Sequence, residues 1–130
     1  MPEYRLPIRV YIEDTDAGGI VYYVNYLKYF ERARTELIRS LGVDTPAVME
    51  DGSVFVVTSA AIDYHAPARL DDQLEAVVEV VKSGAATIEF RQSVVRSGIE
   101  LASGQVRVAL TDGESRKPKR MPQGLRELLT

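Results

Sequence analysis

One long stretch of this chain carries a helical period, and the four stretches that follow it carry the period of strands. From Val24 to Leu41 the apolar positions Tyr26, Phe30, Ala33, Leu37 and Leu41 follow steps of four, three, four and four, with Leu27 and Ile38 widening the stripe. That spacing lines one face of a helix about 27 Å long at ~1.5 Å per residue. Gly42 stands where a left-handed C-terminal cap is wanted, and Arg39 suits the negative end of the helix dipole. Upstream, Arg5 to Glu13 set Leu6, Ile8, Val10 and Ile12 at spacing two, which predicts a strand with one buried face. Downstream come four β-rich stretches: Val54 to His65, Gln73 to Lys82, Thr87 to Arg96 and Glu100 to Thr111. Turn signals part them and no helix intervenes, so neighbours pair antiparallel. The tail, Gln123 to Thr130, predicts one or two helical turns. One amphipathic helix cannot bury its stripe alone, and an antiparallel sheet has one apolar face to cover it. The expected fold is α+β, one domain over residues 1–130, with a long central helix wrapped by a five-stranded antiparallel sheet. The sheet's outer face and edges stay free for self-association.

Composition narrows the chemistry. With no cysteine, a disulfide scaffold, a thiolate nucleophile, an iron–sulfur cluster and a cysteine-ligated zinc are excluded. The single histidine, His65, excludes a zinc site of several imidazoles within one chain. A serine triad through it lacks a G-x-S-x-G signature, and a structural histidine near a strand end is the plainer reading. A net charge of −3 argues against nucleic acid as a partner. No apolar run approaches the ~20 residues that span a bilayer, and Met1 to Arg9 lacks the apolar core of a targeting segment. The expected location is the cytoplasm.

The stretch from Tyr11 to Thr35, YIEDTDAGGIVYYVNYLKYFERART, holds the candidate chemistry. Asp16 sits at a strand end, Gly18 and Gly19 follow, and the helix begins a few residues later. The first turn of a helix leaves N–H groups without internal partners, with positive partial charge. Glycines before it let another molecule approach the backbone. Such donors polarise a carbonyl oxygen while a carboxylate serves its carbon; in acyl transfer one donor contributes about 3 kcal/mol to the transition state. A plainer role for Asp14 or Asp16 is to cap a turn or the helix, and the residues alone leave both open. A calcium loop fails at Gly18 and Asn25, which stand where oxygen ligands are required. No metal or cofactor is expected.

The run from Glu13 to Tyr22, then Asn25-Tyr26 and Phe30 to Glu36, resembles the signature of hotdog-fold acyl-CoA thioesterases. The match is to the 4-hydroxybenzoyl-CoA thioesterase type and relatives encoded with the Tol-Pal system. Tyr64 to Asp72 (YHAPARLDD) and Lys117 to Pro122 (KPKRMP) resemble the same subgroup. The resemblance implies a helix wrapped by a sheet, as read above, and hydrolysis of an acyl-CoA or acyl carrier protein thioester. It implies Asp16 as nucleophile or general base, the Tyr23 N–H as the carbonyl-polarising donor, and Gly19 on the approach. Several Tol-Pal relatives carry histidine at the Tyr23 position, so a side-chain acid–base role there is not implied for this chain. The basic cluster Arg116, Lys117, Lys119 and Arg120 is expected at the phosphates of coenzyme A, with Lys117 foremost. Arg69 is a weaker substrate candidate, read first as an ion-pair partner of Asp71 or Asp72. Asn25 either caps the helix or faces substrate. Glu31, Arg32, Arg34 and Glu36 read as a partly exposed, ion-paired face. Family members place the site between subunits, so a homodimer is the expected minimum and a tetramer follows from pairing dimers. The rivals are a hotdog module that binds an acyl thioester or envelope partner without turnover, and a hotdog dehydratase.

Overall fold

The computed structural model describes residues 2–130. Its elements are β1 (Glu3–Arg9), a 3-10 turn (Ile12–Asp14), α1 (Asn25–Ser40), β2 (Ser53–Tyr64), β3 (Gln73–Ser83), β4 (Thr87–Arg96), β5 (Ile99–Asp112) and α2 (Gln123–Leu128). The strands form one antiparallel sheet in the order β1-β3-β4-β5-β2. The α+β architecture expected from the periodicity is the one observed, but β2 does not pair with its sequence neighbour β3: it pairs with β5, and β1 takes that edge of β3.

α1 lies across β1, β3 and β4. Tyr26, Tyr29, Phe30, Ala33, Leu37 and Ile38 are buried on its inner face. They meet the inward positions Leu74, Ala76, Val78 and Val80 of β3 and Ile88, Phe90 and Val94 of β4 within one core. Each fully buried side chain of Leu or Phe size contributes about 1.5–3 kcal/mol. The helix stops at Gly42, whose φ of +99° is the left-handed geometry glycine adopts without strain. Two apolar residues depart from expectation: Leu27 stays partly exposed, and Tyr29 is buried outside the stripe read from the sequence.

β1 ends sooner than predicted. Its last pair is Arg9 with Gln73, the first residue of β3, so no strand remains for it to follow. Val10 is still held, its N–H donating to the Asp72 carbonyl at 3.0 Å and its carbonyl accepting from Asp71 N–H at 3.0 Å. The chain then closes into the 3-10 turn, and Ile12, expected on the buried face, is 77% exposed.

The face read as ion-paired is only partly so. Glu36 pairs with Arg39, and Arg32 lies over the Tyr29 ring. Arg34 instead reaches inward, donating to Gln92 Oε1 at 2.9 Å, while buried Gln92 donates to the Phe30 carbonyl at 2.8 Å. This bridge ties the middle of α1 to β4.

β2 crosses to the far side of β5 and forms an edge of the sheet. A bulge between Val57 and Ser59 interrupts its pairing with β5, and most of the strand is exposed.

Candidate active site

A small hairpin carries the acidic loop. Thr15 bridges Val21, and the Asp16 N–H donates to the Ile20 carbonyl at 3.0 Å. The turn closes where Gly19 N–H meets the Asp16 carbonyl at 3.1 Å. Gly19 holds φ +77° there, a conformation a side chain would oppose. The Gly18 N–H donates to Asp16 Oδ1 at 2.8 Å, and the other carboxylate oxygen has no protein partner among the described residues. Asp16 is exposed.

The hairpin leads directly into α1. Tyr22 N–H donates to the Asp14 carbonyl at 2.9 Å, and Asn25 Nδ2 donates to the same oxygen at 2.8 Å. Buried Asn25 therefore straps the acidic loop to the first turn. It does not cap the helix, which begins after Val24 without a side-chain cap. The N–H groups of Tyr23 and Val24 find no acceptor among the described residues. Asp14 Oδ2 accepts from Tyr11 N–H at 2.9 Å. The nearby Tyr29 hydroxyl is buried with no hydrogen-bond partner, and burial together with the Asp14 charge pushes its pKa up.

A second segment supports the hairpin from below. Val21 N–H donates to the carbonyl of fully buried Ala68 at 2.8 Å, and Ala68 N–H donates to the Tyr26 hydroxyl at 3.0 Å. Asp72 Oδ2 accepts from Arg69 N–H at 2.8 Å and from Arg96 Nη1 at 2.5 Å. Desolvation lifts the Asp72 carboxyl, but these partners outweigh it and hold its pKa below the ordinary value. The ion pair expected of Arg69 is thus made by Arg96; Arg69 acts through its main chain, bridging Ile20, and its side chain is exposed. So the Tyr64-to-Asp72 motif is built as a buttress for the Asp16 loop.

Beside the helix start lies an open, mainly apolar cavity of about 310 Å³, walled by Ile20, Val21, Tyr23, Tyr26, Tyr64 and Pro67. The Tyr64 ring stands edge-on to Tyr26 and Tyr23, with centroids 5.3 and 6.0 Å away. Asp16 is not part of this wall. His65 also borders the cavity, and its Nε2 lies 2.8 Å from Ser103 Oγ and 3.8 Å from Glu100 Oε1. That is a surface contact of one ring nitrogen, not a relay through two. A separate cavity of about 240 Å³ lies further along α1, between Arg34 and Ile38 on the helix and Phe55, Ile88, Phe90 and Val108 on the sheet.

The basic cluster is elsewhere. Residues 117–119 lie against the end of β5, where Pro118 bridges Thr111 and Lys119 N–H donates to the Leu110 carbonyl at 2.8 Å. Lys119 Nζ is 3.0 Å from Asp51 Oδ2; Lys117 is exposed with no carboxylate within 4.0 Å among the described residues. Arg120 sits against the C-terminal turn with Gln123 and Arg126. This end of β5 pairs with the start of β2, Asp112 opposite Ser53, whereas Tyr64 at the other end of β2 hydrogen-bonds the Tyr23 carbonyl. Twelve residues of strand, roughly 36 Å at ~3.3 Å per residue, separate the two ends. One protomer does not bring Lys117, Lys119 and Arg120 together with Asp16. The described residues hold no cluster of three metal-ligating side chains and no helix long and apolar enough to cross a membrane.

A long helix wrapped by a single antiparallel sheet is the hotdog fold. The family model of the thioesterase-like superfamily matches residues 10–129, and the chain belongs to that superfamily. It is 44% identical over 121 residues to the acyl-CoA thioesterase YbgC of Haemophilus influenzae, covering 92% of this chain and 89% of that protein. It is 39% identical over 123 residues to the acyl-CoA thioester hydrolase YbgC of Escherichia coli O6:H1, covering 94% and 92%. Among solved structures, a protein of Aquifex aeolicus superposes with a TM-score of 0.89 at 30% identity, covering 98% of this chain and 99% of that one.

Proposed function

We propose that this protein hydrolyses the thioester of an acyl-CoA, or of an acyl carrier protein, to a carboxylic acid and a free thiol. The observation that carries the reading is an exposed carboxylate, Asp16, in the hairpin that feeds the unpartnered Tyr23 N–H at the start of α1. The thioester carbonyl oxygen accepts from that N–H, and the positive end of the helix dipole favours the charge it gains as the carbon becomes tetrahedral. Asp16 either attacks the carbon, giving an anhydride that water opens, or takes the proton of an attacking water. Both routes expel the thiolate, which is protonated to the thiol. Label from ¹⁸O-water found in the Asp16 carboxylate after a single turnover establishes the first route, with water opening the anhydride at the aspartyl carbonyl, because the second route never labels Asp16. Gly19 keeps the approach free of a side chain.

The proposed active unit is a dimer. Within one protomer the basic segment lies by the start of β2 and the helix start by its end, and the open edge of β2 offers a row of unpaired main-chain groups. Antiparallel pairing of that edge with a second copy brings the start of one β2 toward the end of the other. The phosphates of coenzyme A then meet Lys117 of the second copy, with Lys119 and Arg120 behind it. Pairing of dimers through the remaining faces gives the expected tetramer. The proposed setting is the cytoplasm, where acyl-CoA is made. Asn25 and Arg69 serve this site through the hydrogen bonds described above rather than by touching substrate.

The test is release of free thiol from a panel of aliphatic and aromatic acyl-CoAs. Turnover of at least one above the buffer rate is expected. Calorimetric binding of the same thioesters without thiol release overturns the enzymatic reading in favour of a binding module.

A further inference from the structure

The last residue of β2 reaches the start of the helix. The Tyr64 hydroxyl donates to the Tyr23 carbonyl at 3.0 Å. In the helix start the other acceptors are served by the backbone: the Tyr22 carbonyl takes Asn25 N–H at 2.8 Å, whereas the Tyr23 carbonyl takes Tyr26 N–H only at 3.4 Å. Tyr64 therefore supplies the shorter bond to that oxygen, from a strand rather than from the helix.

The Tyr23 carbonyl and the Val24 N–H belong to one peptide group, and hydrogen bonds polarise one another along a chain. A donor on the oxygen draws electron density from the nitrogen and strengthens its N–H as a donor. The Val24 N–H is one of the two amides at this end left without an acceptor among the described residues, beside that of Tyr23. The hydroxyl also fixes the plane of this peptide, because Tyr64 is itself held: Tyr64 pairs with Ala102 in β5, and its ring packs against Tyr26. Partial burial and the neighbouring Tyr23 and Tyr26 phenols raise the Tyr64 pKa, so the O–H remains a donor through neutral pH.

We infer that Tyr64 is a positioning residue for the thioesterase reaction, orienting and polarising the Tyr23–Val24 peptide so that the Val24 N–H joins the Tyr23 N–H as a donor to the thioester carbonyl. This rests on the reading of that helix start as the carbonyl-polarising site. Tyr64 touches no reacting atom; it acts through the main chain that leads into α1.

The test is Tyr64→Phe, which keeps the ring and removes only the donor. Expected are a kcat three- to tenfold lower on the best acyl-CoA, KM within twofold and Tm within about 2 °C of wild type. In the ligand-free protein the ¹⁵N–¹H resonance of Val24 is expected to move further than those of residues 26–30, a signature that loss of packing alone does not produce. A kcat within 1.5-fold of wild type, an unmoved Val24 resonance, or a kcat loss matched by an equal rise in KM overturns the inference while leaving the thioesterase reading intact. A wild-type protein that releases no thiol from any acyl-CoA removes that reading and this one with it.

Discussion

If the active site is shared between copies, a mixed dimer behaves in a way that no single-chain site can imitate. The two perturbations are Asp16→Asn and Lys117→Ala, co-expressed with different tags so that only the mixed dimer is purified. Lys117 is exposed, so its contact with a phosphate is worth about 1 kcal/mol, or roughly fivefold in KM. Asp16→Asn removes the reacting carboxylate and is expected to silence any site it belongs to. On the proposed pairing of β2 edges, whose two ends lie roughly 36 Å apart along the strand, the intact Asp16 of one copy works with the intact Lys117 of the other. The mixed dimer then has one complete site and one doubly damaged site. Steady-state thiol release is expected to show half the wild-type kcat per dimer at the wild-type KM. Were both residues to act within one chain, the only working site would lack its lysine. A KM equal to that of the Lys117→Ala homodimer therefore refutes the reasoning, as does a monomer by sedimentation.

Asn25→Asp puts a carboxylate 2.8 Å from the Asp14 carbonyl. The folded-state pKa of the new acid rises, so the variant approaches wild-type stability at low pH and loses about 1–3 kcal/mol as pH climbs through that raised pKa. Melting curves from pH 4 to 8 check this, and a pH-independent deficit contradicts it. Gln92→Leu leaves Arg34 half-buried without its hydrogen-bond acceptor and is expected to cost about 2–4 kcal/mol in urea unfolding. Asp72→Asn weakens the buttress. Because the folded-state pKa of Asp72 is depressed, its stabilisation is present above the unfolded pKa near ~3.9 and fades as pH falls through the folded value. The Tm gap between Asp72→Asn and wild type is therefore expected to be largest near neutrality and to narrow below about pH 4.

The architecture was legible because its signals are local. The period of α1, the glycine after it and the turns between strands each depend on neighbours in sequence. Strand order was not, since nothing within β2 says that it pairs with β5 rather than with β3. The bulges at Thr58, Val81 and Leu101 carry no distinctive residue either. Ile12 was misread because spacing records periodicity and not whether a partner strand continues alongside. In the site, Asp16 and its loop stood out through the glycines. The work of Asn25, Ala68 and Tyr64 did not, because each acts through a hydrogen bond to a residue 11, 42 or 41 positions away in sequence. The ion pair of Asp72 with Arg96 rather than Arg69 is of the same kind: adjacency in sequence named the wrong arginine.

Everything proposed for the chemistry rests on the carboxylate of Asp16. Its direct test is the kcat/KM of Asp16→Asn on the best acyl-CoA, beside the affinity of both proteins for a non-hydrolysable acyl-CoA analogue. The account predicts a loss of at least about 100-fold in kcat/KM with the analogue's Kd within threefold of wild type. A kcat/KM within about threefold of wild type contradicts it.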